Sequence, residues 1–393
     1  MKNIYSLPHL KRSYYSVSLM EQKKILKKFA ARTDTQAERL KRYLALPDLT
    51  RLEGNPVKMI TDMVVNLHSL KNLDIIETPE IISPEIVFDL FNFPKDHPAR
   101  TQSDTYYMDE AHILRPHTSL MWKYYLELPE VREQLERYGS AGTLCYGTVY
   151  RRDEIDWQHS NVLHHIDGLY ICKKEIAELR QTDLEDVLWE VAHALFGENI
   201  KAKFRVDHFP YTDPSLEMNI AWDDKWVEIL GAGIVHPQVI KNLGFDPNIY
   251  NGWAFGFGAD RLAMIKMRIP DIRLLRSEDE RVTRQFKDIN HIYQPVSKYP
   301  PVTRDISFAV DKNSFSQYRY YELAREVIGE ELIEEMKLLD EYEDEAKFGS
   351  GKASYTFRIV YRHLNRTLTN EEVDMLHKKL EDKTISEFGA IIR

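Results

Sequence analysis

Cysteine is scarce in this chain: Cys145 and Cys172 are the two among 393 residues. They form no CxxC pair, read as buried thiols of a reducing compartment, and argue against a structural zinc. Long apolar runs are missing as well. Nothing approaches the ~18–20 residues of a membrane helix, so a soluble protein with no membrane partner is expected. Positive charge is in deficit, with a net charge of −9. That argues against general coating of nucleic acid, although a local basic stripe can still meet an RNA backbone. There are no internal repeats and no low-complexity tracts. The glycines of GWAFGFGADRLAM form GFG and not GxGxxG, so no Rossmann site is read.

What remains is an ordinary globular composition, 43% hydrophobic, in a length that suits two or three domains. Residues 1–50 read as a polar helical extension, with a helix over about 18–45. No acid occurs before Glu21, and Lys2, Lys11 and Arg12 give the start a weak likeness to an organelle transit peptide. The favoured reading is a surface extension, hence a cytoplasmic protein, with the mitochondrial matrix as the alternative. Residues 55–75 carry apolar positions at helical spacing. Residues 76–285 alternate strand patterns with two clear helices, one over 184–197 with Asp183 as its expected N-cap, and the domain is bounded at 51–285. This predicts an α+β catalytic domain on an antiparallel sheet. A polar, proline-bearing linker spans 286–300. Residues 301–393 then read strand, helix, strand, strand, helix, strand, with Thr369 or Asn370 capping the last helix. That order is ferredoxin-like.

Two segments carry the chemistry. The first, 147–171, is GTVYRRDEIDWQHSNVLHHIDGLYI, two strands joined by a loop that holds Arg151, Asp153 and His159. Arginines grip phosphate with a two-point fork, and acids can orient them or hold a metal. The second, 226–264, begins as the strand WVEILGAGIV. It ends in a Gly-punctuated strand running into a helix with Arg261, where Gly252, Gly256 and Gly258 permit close approach to a flat ligand.

Together these segments resemble the phenylalanyl-tRNA synthetases, a class II aminoacyl-tRNA synthetase family, and within it the single-chain, mitochondrial-type form. VYRRDEID with the HHIDG strand is similar to motif 2, and GWAFGFGADRLAM to motif 3. HPARTQSDTYYM resembles the motif 1 segment, with Pro98 at its proline. RPHTS, FPYTDPSLEM and SKYPPVTRDISF resemble three further signatures, all in family order over roughly 50–393.

The resemblance implies ATP-dependent ligation of phenylalanine to tRNA through an aminoacyl-adenylate, with the terminal ribose 2′-hydroxyl as acceptor. It implies Arg151 at the α-phosphate and amino-acid carboxylate, and Asp153 at adenine or orienting the loop. His159 and Arg261 fall at the distal phosphates, with Glu217 and Glu228 as candidates for Mg2+. For the amino acid it implies His117 and Ser119 near the charged groups, Phe209 and Tyr211 as an aromatic wall, and Ala254 and Gly256 at the pocket end. The family's Phe-His-Gln-x-Glu-Gly strand reads Leu163-His164-His165-Ile166-Asp167-Gly168 here, and its Phe-Pro-Phe wall reads Phe209-Pro210-Tyr211. His165 and Asp167 therefore stand where the family meets the substrate with Gln and Glu.

In the C-terminal domain Arg358, Arg362 and Arg366 read as a basic stripe for tRNA. The presence of that domain predicts a monomer without a second subunit. Three alternatives stand beside the ligase: a synthetase-like paralogue that binds without charging, a ligase for another aromatic amino acid, and a ligase with a non-tRNA acceptor. No separate editing domain is expected in this length.

Overall fold

The computed structural model describes residues 11–102, 104–152, 157–329 and 332–393. The chain divides into two units, one reaching to Tyr293 and one over Gln294–Arg393.

The first unit is built on an eight-stranded sheet. Its strands are β1 (Tyr14–Ser16), β2 (Asp74–Glu77), β5 (Ser140–Tyr150), β6 (Val162–Lys173), β7 (Ala202–Asp207), β8 (Thr212–Trp222), β9 (Lys225–Val235) and β10 (Tyr250–Gly258). A separate two-stranded pair, β3 (Ile81–Ile82) and β4 (Ile113–Leu114), lies apart from it. The order across the large sheet is β1-β2-β5-β6-β10-β9-β8-β7. Every pairing is antiparallel except β1 with β2 and β2 with β5. Alternation decides the faces. On β8, Leu216, Met218 and Ile220 are buried at 0–1% exposure, so they take the core side and leave Glu217 to the other.

The expected N-terminal helix over 18–45 is two helices, Met20–Phe29 and Thr35–Leu44. Asp34 makes the break: its carboxylate accepts from the Ala37 N–H at 3.0 Å and pairs with Arg32, starting a second helix. Ahead of them, β1 joins the large sheet, and Arg12 donates to the carbonyls of Leu73 and Leu70 at 2.9 and 3.0 Å. The helix expected at 184–197 runs over Gln181–Phe196. Asp183 is not its N-cap; it sits at the third helical position and accepts from the Arg180 N–H at 2.8 Å.

The second unit is a four-stranded antiparallel sheet of β11 (Val302–Asp311), β12 (Ile333–Glu343), β13 (Lys352–Tyr361) and β14 (Ile391–Ile392), in the order β12-β13-β11-β14. With helices Gln317–Ile328 and Asn370–Phe388 this is the ferredoxin-like arrangement. Thr369 caps the last helix by accepting from the Glu372 N–H at 3.2 Å, and Glu372 returns the bond to the Thr369 N–H at 2.9 Å. The core is aromatic: Phe308, Tyr320, Phe357 and Tyr361 are all fully buried.

Candidate active site

One face of the large sheet holds a cavity of about 580 Å3. Its floor is set by cross-strand register. Asp167 on β6 lies opposite Gly256 on β10, and Gly256 lies opposite Gly231 on β9. Neither glycine could carry a side chain without conflict. A Cβ on Gly256 would meet Asp167 Oδ1 at 2.2 Å, and one on Gly231 would meet the Phe209 ring at 2.9 Å. The result is a bare strip with a carboxylate at one end and an aromatic ring at the other. Phe209 stacks on Tyr211 with centroids 5.6 Å apart and planes 6° from parallel. Tyr211 packs in turn on Phe91 and Trp122, and Ala254 joins the same cluster.

The carboxylate is held from the side. Thr118 and Ser119 hydroxyls donate to Asp167 Oδ2 at 2.7 and 3.0 Å. Burial pushes the Asp167 carboxyl up to about 6, against the pull of those two bonds and of Arg151. Two histidines close the same end in neutral form. Burial, then the charges of Arg151 and Arg115, bring His117 down to about 3. Burial, Arg151 and His117 bring His165 well below the ordinary histidine value. Both His117 ring nitrogens and the Trp122 indole N–H are buried with no hydrogen-bond partner among the described residues. Unpaired buried polar atoms cost about 1–3 kcal/mol each, a debt that a polar ligand can discharge.

The rim is cationic. Arg151 closes the β5–β6 hairpin, its N–H donating to the Asn161 carbonyl at 3.1 Å, and its Nε donates to the Pro116 carbonyl at 2.8 Å. Arg261 stands in the first turn of helix Ala259–Met267, and His159 lies at the same rim. Glu228 also lines the cavity. Burial raises its carboxyl, Arg261 opposes the rise, and Glu217 and Asp207 add to it.

The structure thus brings Arg151, His159, Arg261, Glu228, His117, Ser119, His165, Asp167, Phe209, Tyr211, Ala254 and Gly256 around one cavity. Glu217 does not line it; that residue lies on β8 opposite Gly231 and accepts from Asn219 Nδ2 at 3.0 Å. Asp153 lies outside the described residues. Thr118 and Gly231 complete the site and were not singled out in the sequence. Gly231 had a signal in the Gly-x-Gly of LGAGIV, which a half-buried strand tolerates only where something approaches closely.

Residues 44–286 match the family described as tRNA synthetases class II core domain (F), and residues 297–393 match the ferredoxin-fold anticodon binding domain. The mitochondrial phenylalanine–tRNA ligase of Mus musculus is 34% identical over 349 residues, covering 80% of this chain and 74% of that protein. The chain belongs to the phenylalanine–tRNA ligase family. The chloroplastic/mitochondrial enzyme of Arabidopsis thaliana is similar at 33% identity over 88% of this chain and 80% of its own length. The mitochondrial enzyme of Saccharomyces cerevisiae matches at 31% over 87% and 88%.

The three arginines expected to form a basic stripe are each engaged by an acid within the second unit. Arg358 forks onto Asp305 with two bonds of 2.8 Å. Arg362 donates to Glu334 at 2.7 Å and to the Ser297 carbonyl at 3.3 Å, and Arg366 pairs with Glu372 at 2.9 Å.

Proposed function

We propose that this chain activates phenylalanine with ATP and transfers it to the terminal ribose 2′-hydroxyl of its tRNA. The observation that carries this reading is the glycine floor between Asp167 and the Phe209–Tyr211 pair. It offers an anion for an ammonium group, a flat strip for a Cα, and a ring to stack on.

In the first step an oxygen of the amino-acid carboxylate attacks the α-phosphorus. The bond from that phosphorus to the bridging oxygen breaks, and pyrophosphate leaves with the electron pair. The nucleophile is already ionised, so no protein base is needed, and catalysis rests on placement and charge. Arg151 serves the α-phosphate and the attacking carboxylate. Arg261 and His159 serve the outer phosphates. Asp167, with Thr118 and Ser119 holding Oδ2, meets the ammonium group, and neutral His117 and His165 add hydrogen bonds without opposing charge. Glu228, with Glu217 on the neighbouring strand, would hold a divalent cation, Mg2+ in this reading, whose chemistry is neutralisation of the phosphates. Their fit is supported by the raised Glu228 carboxyl, pushed up first by burial and further by the nearby Glu217 charge. No cluster of three or more acidic, His or Cys ligands occurs among the described residues, so the rest of the shell would come from phosphate and water. In the second step the 2′-oxygen attacks the carbonyl carbon, the bond from that carbon to the phosphate oxygen breaks, AMP leaves with the electron pair, and its phosphate takes up the hydroxyl proton.

The partners in this reading are phenylalanine, ATP and tRNA, and the chain works as a monomer, which sedimentation of the pure protein tests. The relatives' names speak of mitochondria, which favours the mitochondrial matrix; the cytoplasmic expectation has no counterpart in them. A second reading, another aromatic amino acid, draws on one observation: the Tyr211 hydroxyl makes no hydrogen bond among the described residues. A non-charging paralogue has no such support. Amino-acid-dependent ATP–pyrophosphate exchange over all standard amino acids, with tRNA charging alongside, separates these readings. Phenylalanine-dependent exchange and charging are expected; exchange with no amino acid would overturn the proposal.

A further inference from the structure

We propose that His164 and Asp260 form a positioning bridge that locks the helix carrying Arg261 to the strand carrying His165 and Asp167. The phosphate half and the amino-acid half of the cavity then keep one fixed spacing. The inference rests on the functional reading above.

Asp260 is the second residue of helix Ala259–Met267 and immediately precedes Arg261. Both of its carboxylate oxygens are used by a single residue. Oδ2 accepts the His164 backbone N–H at 2.6 Å, and Oδ1 lies 2.9 Å from His164 Nδ1. The other ring nitrogen, Nε2, accepts the Leu49 N–H at 3.1 Å. An amide N–H can only donate, so Nε2 presents its lone pair and the ring proton sits on Nδ1, where Asp260 needs it. Arg276 closes the far side, with one guanidinium nitrogen 3.4 Å from Nε2 and another donating to the Pro47 carbonyl at 3.0 Å. His164 is 0% and Asp260 4% exposed. Polar groups so far from water need hydrogen-bond partners of this kind.

The bridge sits where the two halves of the site meet. His165 and Gly258 are the last partners in the β6–β10 register, and His164 with Asp260 adds a side-chain lock just past it, one residue on along β6 and two beyond Gly258. Successive strand residues face opposite ways, so His164 lies behind the wall to which His165 contributes. Arg261 is exposed, and the start of its helix therefore sets where its guanidinium can reach. The same imidazole gathers in the 47–49 segment through Leu49. One residue thereby ties together the hairpin strand, the Arg261 helix and the segment that enters the core.

The test is ATP–pyrophosphate exchange on the full chain, with KM for ATP and for phenylalanine measured separately, beside the melting temperature. Three variants are compared. Asp260→Asn leaves one acceptor for two N–H donors. His164→Gln keeps an acceptor near Nε2 but loses the donor at Nδ1, whereas His164→Asn keeps a donor at Nδ1. A misplacement of about 1 Å can cost on the order of a hundredfold when it reaches reacting groups, so KM for ATP is expected to rise about tenfold or more in Asp260→Asn and His164→Gln. KM for phenylalanine is expected to stay within about threefold, and His164→Asn to recover most of the ATP affinity. A lower melting temperature with unshifted KM for ATP would overturn the bridge and leave a role in stability alone. If Asp260→Asn does not fold, the contrast between Gln and Asn at 164 decides, and equal KM values there overturn the proposal. Wild-type exchange with no amino acid would sink the functional reading and this inference with it. Wild-type exchange with unshifted variants sinks only the bridge.

Discussion

The Asp167 carboxylate lies over the bare Cα of Gly256, so close that a Cβ there would stand 2.2 Å from Oδ1. Oδ2 is pinned by Thr118 and Ser119. The carboxylate therefore cannot rotate away without breaking two bonds. Gly256→Ala is expected to displace it and cut phenylalanine activation by on the order of a hundredfold, with the circular-dichroism spectrum unchanged. Activity within a few-fold of wild type would mean that Asp167 is free to move.

Asp167 also sets a pH dependence. Its folded value of about 6 lies above the ordinary 3.8. Between those two values the unfolded chain has released the proton and the folded chain still holds it, so stability falls as pH rises through that window and then levels off. The full difference is on the order of 3 kcal/mol. Asp167→Asn should therefore melt higher than wild type at pH 7 and lose most of that advantage near pH 4. For binding the sign reverses: the anion is needed, and wild-type kcat/KM for phenylalanine should fall about tenfold per pH unit below 6. A flat profile from pH 5 to 8 would remove Asp167 from ammonium recognition.

Tyr211 carries a hydroxyl at the aromatic wall, and burial first, then the Asp167 charge, raises its pKa and keeps it protonated. A phenyl ring laid over it leaves that hydroxyl unpaired, whereas a hydroxylated ring could bond to it. Tyr211→Phe is expected to lower KM for phenylalanine about fivefold, the equivalent of roughly 1 kcal/mol. Exchange with tyrosine, relative to phenylalanine, should fall. An unchanged ratio of the two would show that the hydroxyl plays no part in selection.

The arginines of the second unit should separate by burial. Arg362 is 12% exposed and Glu334 17%, with main-chain carbonyls completing the set. Arg362→Ala is expected to lower the stability of that unit by roughly 2 kcal/mol, read by denaturant unfolding of the full chain. Arg358 is about half exposed, and Arg358→Ala should barely move that midpoint. If Arg358 meets RNA, its loss should raise KM for tRNA without changing phenylalanine-dependent exchange.

Local patterns were legible wherever a short stretch carries its own physics. The period-two strands on either side of 151–161, the capping box at Thr369 and Glu372, and the Gly-punctuated strand ending at Arg261 each depend on neighbours within a few residues. The break at Asp34 was missed because capping by a single aspartate competes with a continuous helical pattern, and the winner depends on what Arg32 reaches. The place of β1 in the large sheet has no local signal, since its partner Ile75–Glu77 stretch lies some sixty positions away.

By itself the sequence determined the inventory: two arginines in glycine- and strand-rich settings, an aromatic pair, an aspartate and a histidine on one strand, and the order of the elements. Tertiary structure alone decided which of these touch. Register across β6, β10 and β9 aligned Asp167 with two glycines. Folding brought Thr118 and Ser119 onto Oδ2 from 49 and 48 positions away. It joined His164 to Asp260 across 96. Such contacts depend on how sheets and helices pack over long separations, and no window of neighbouring residues records that.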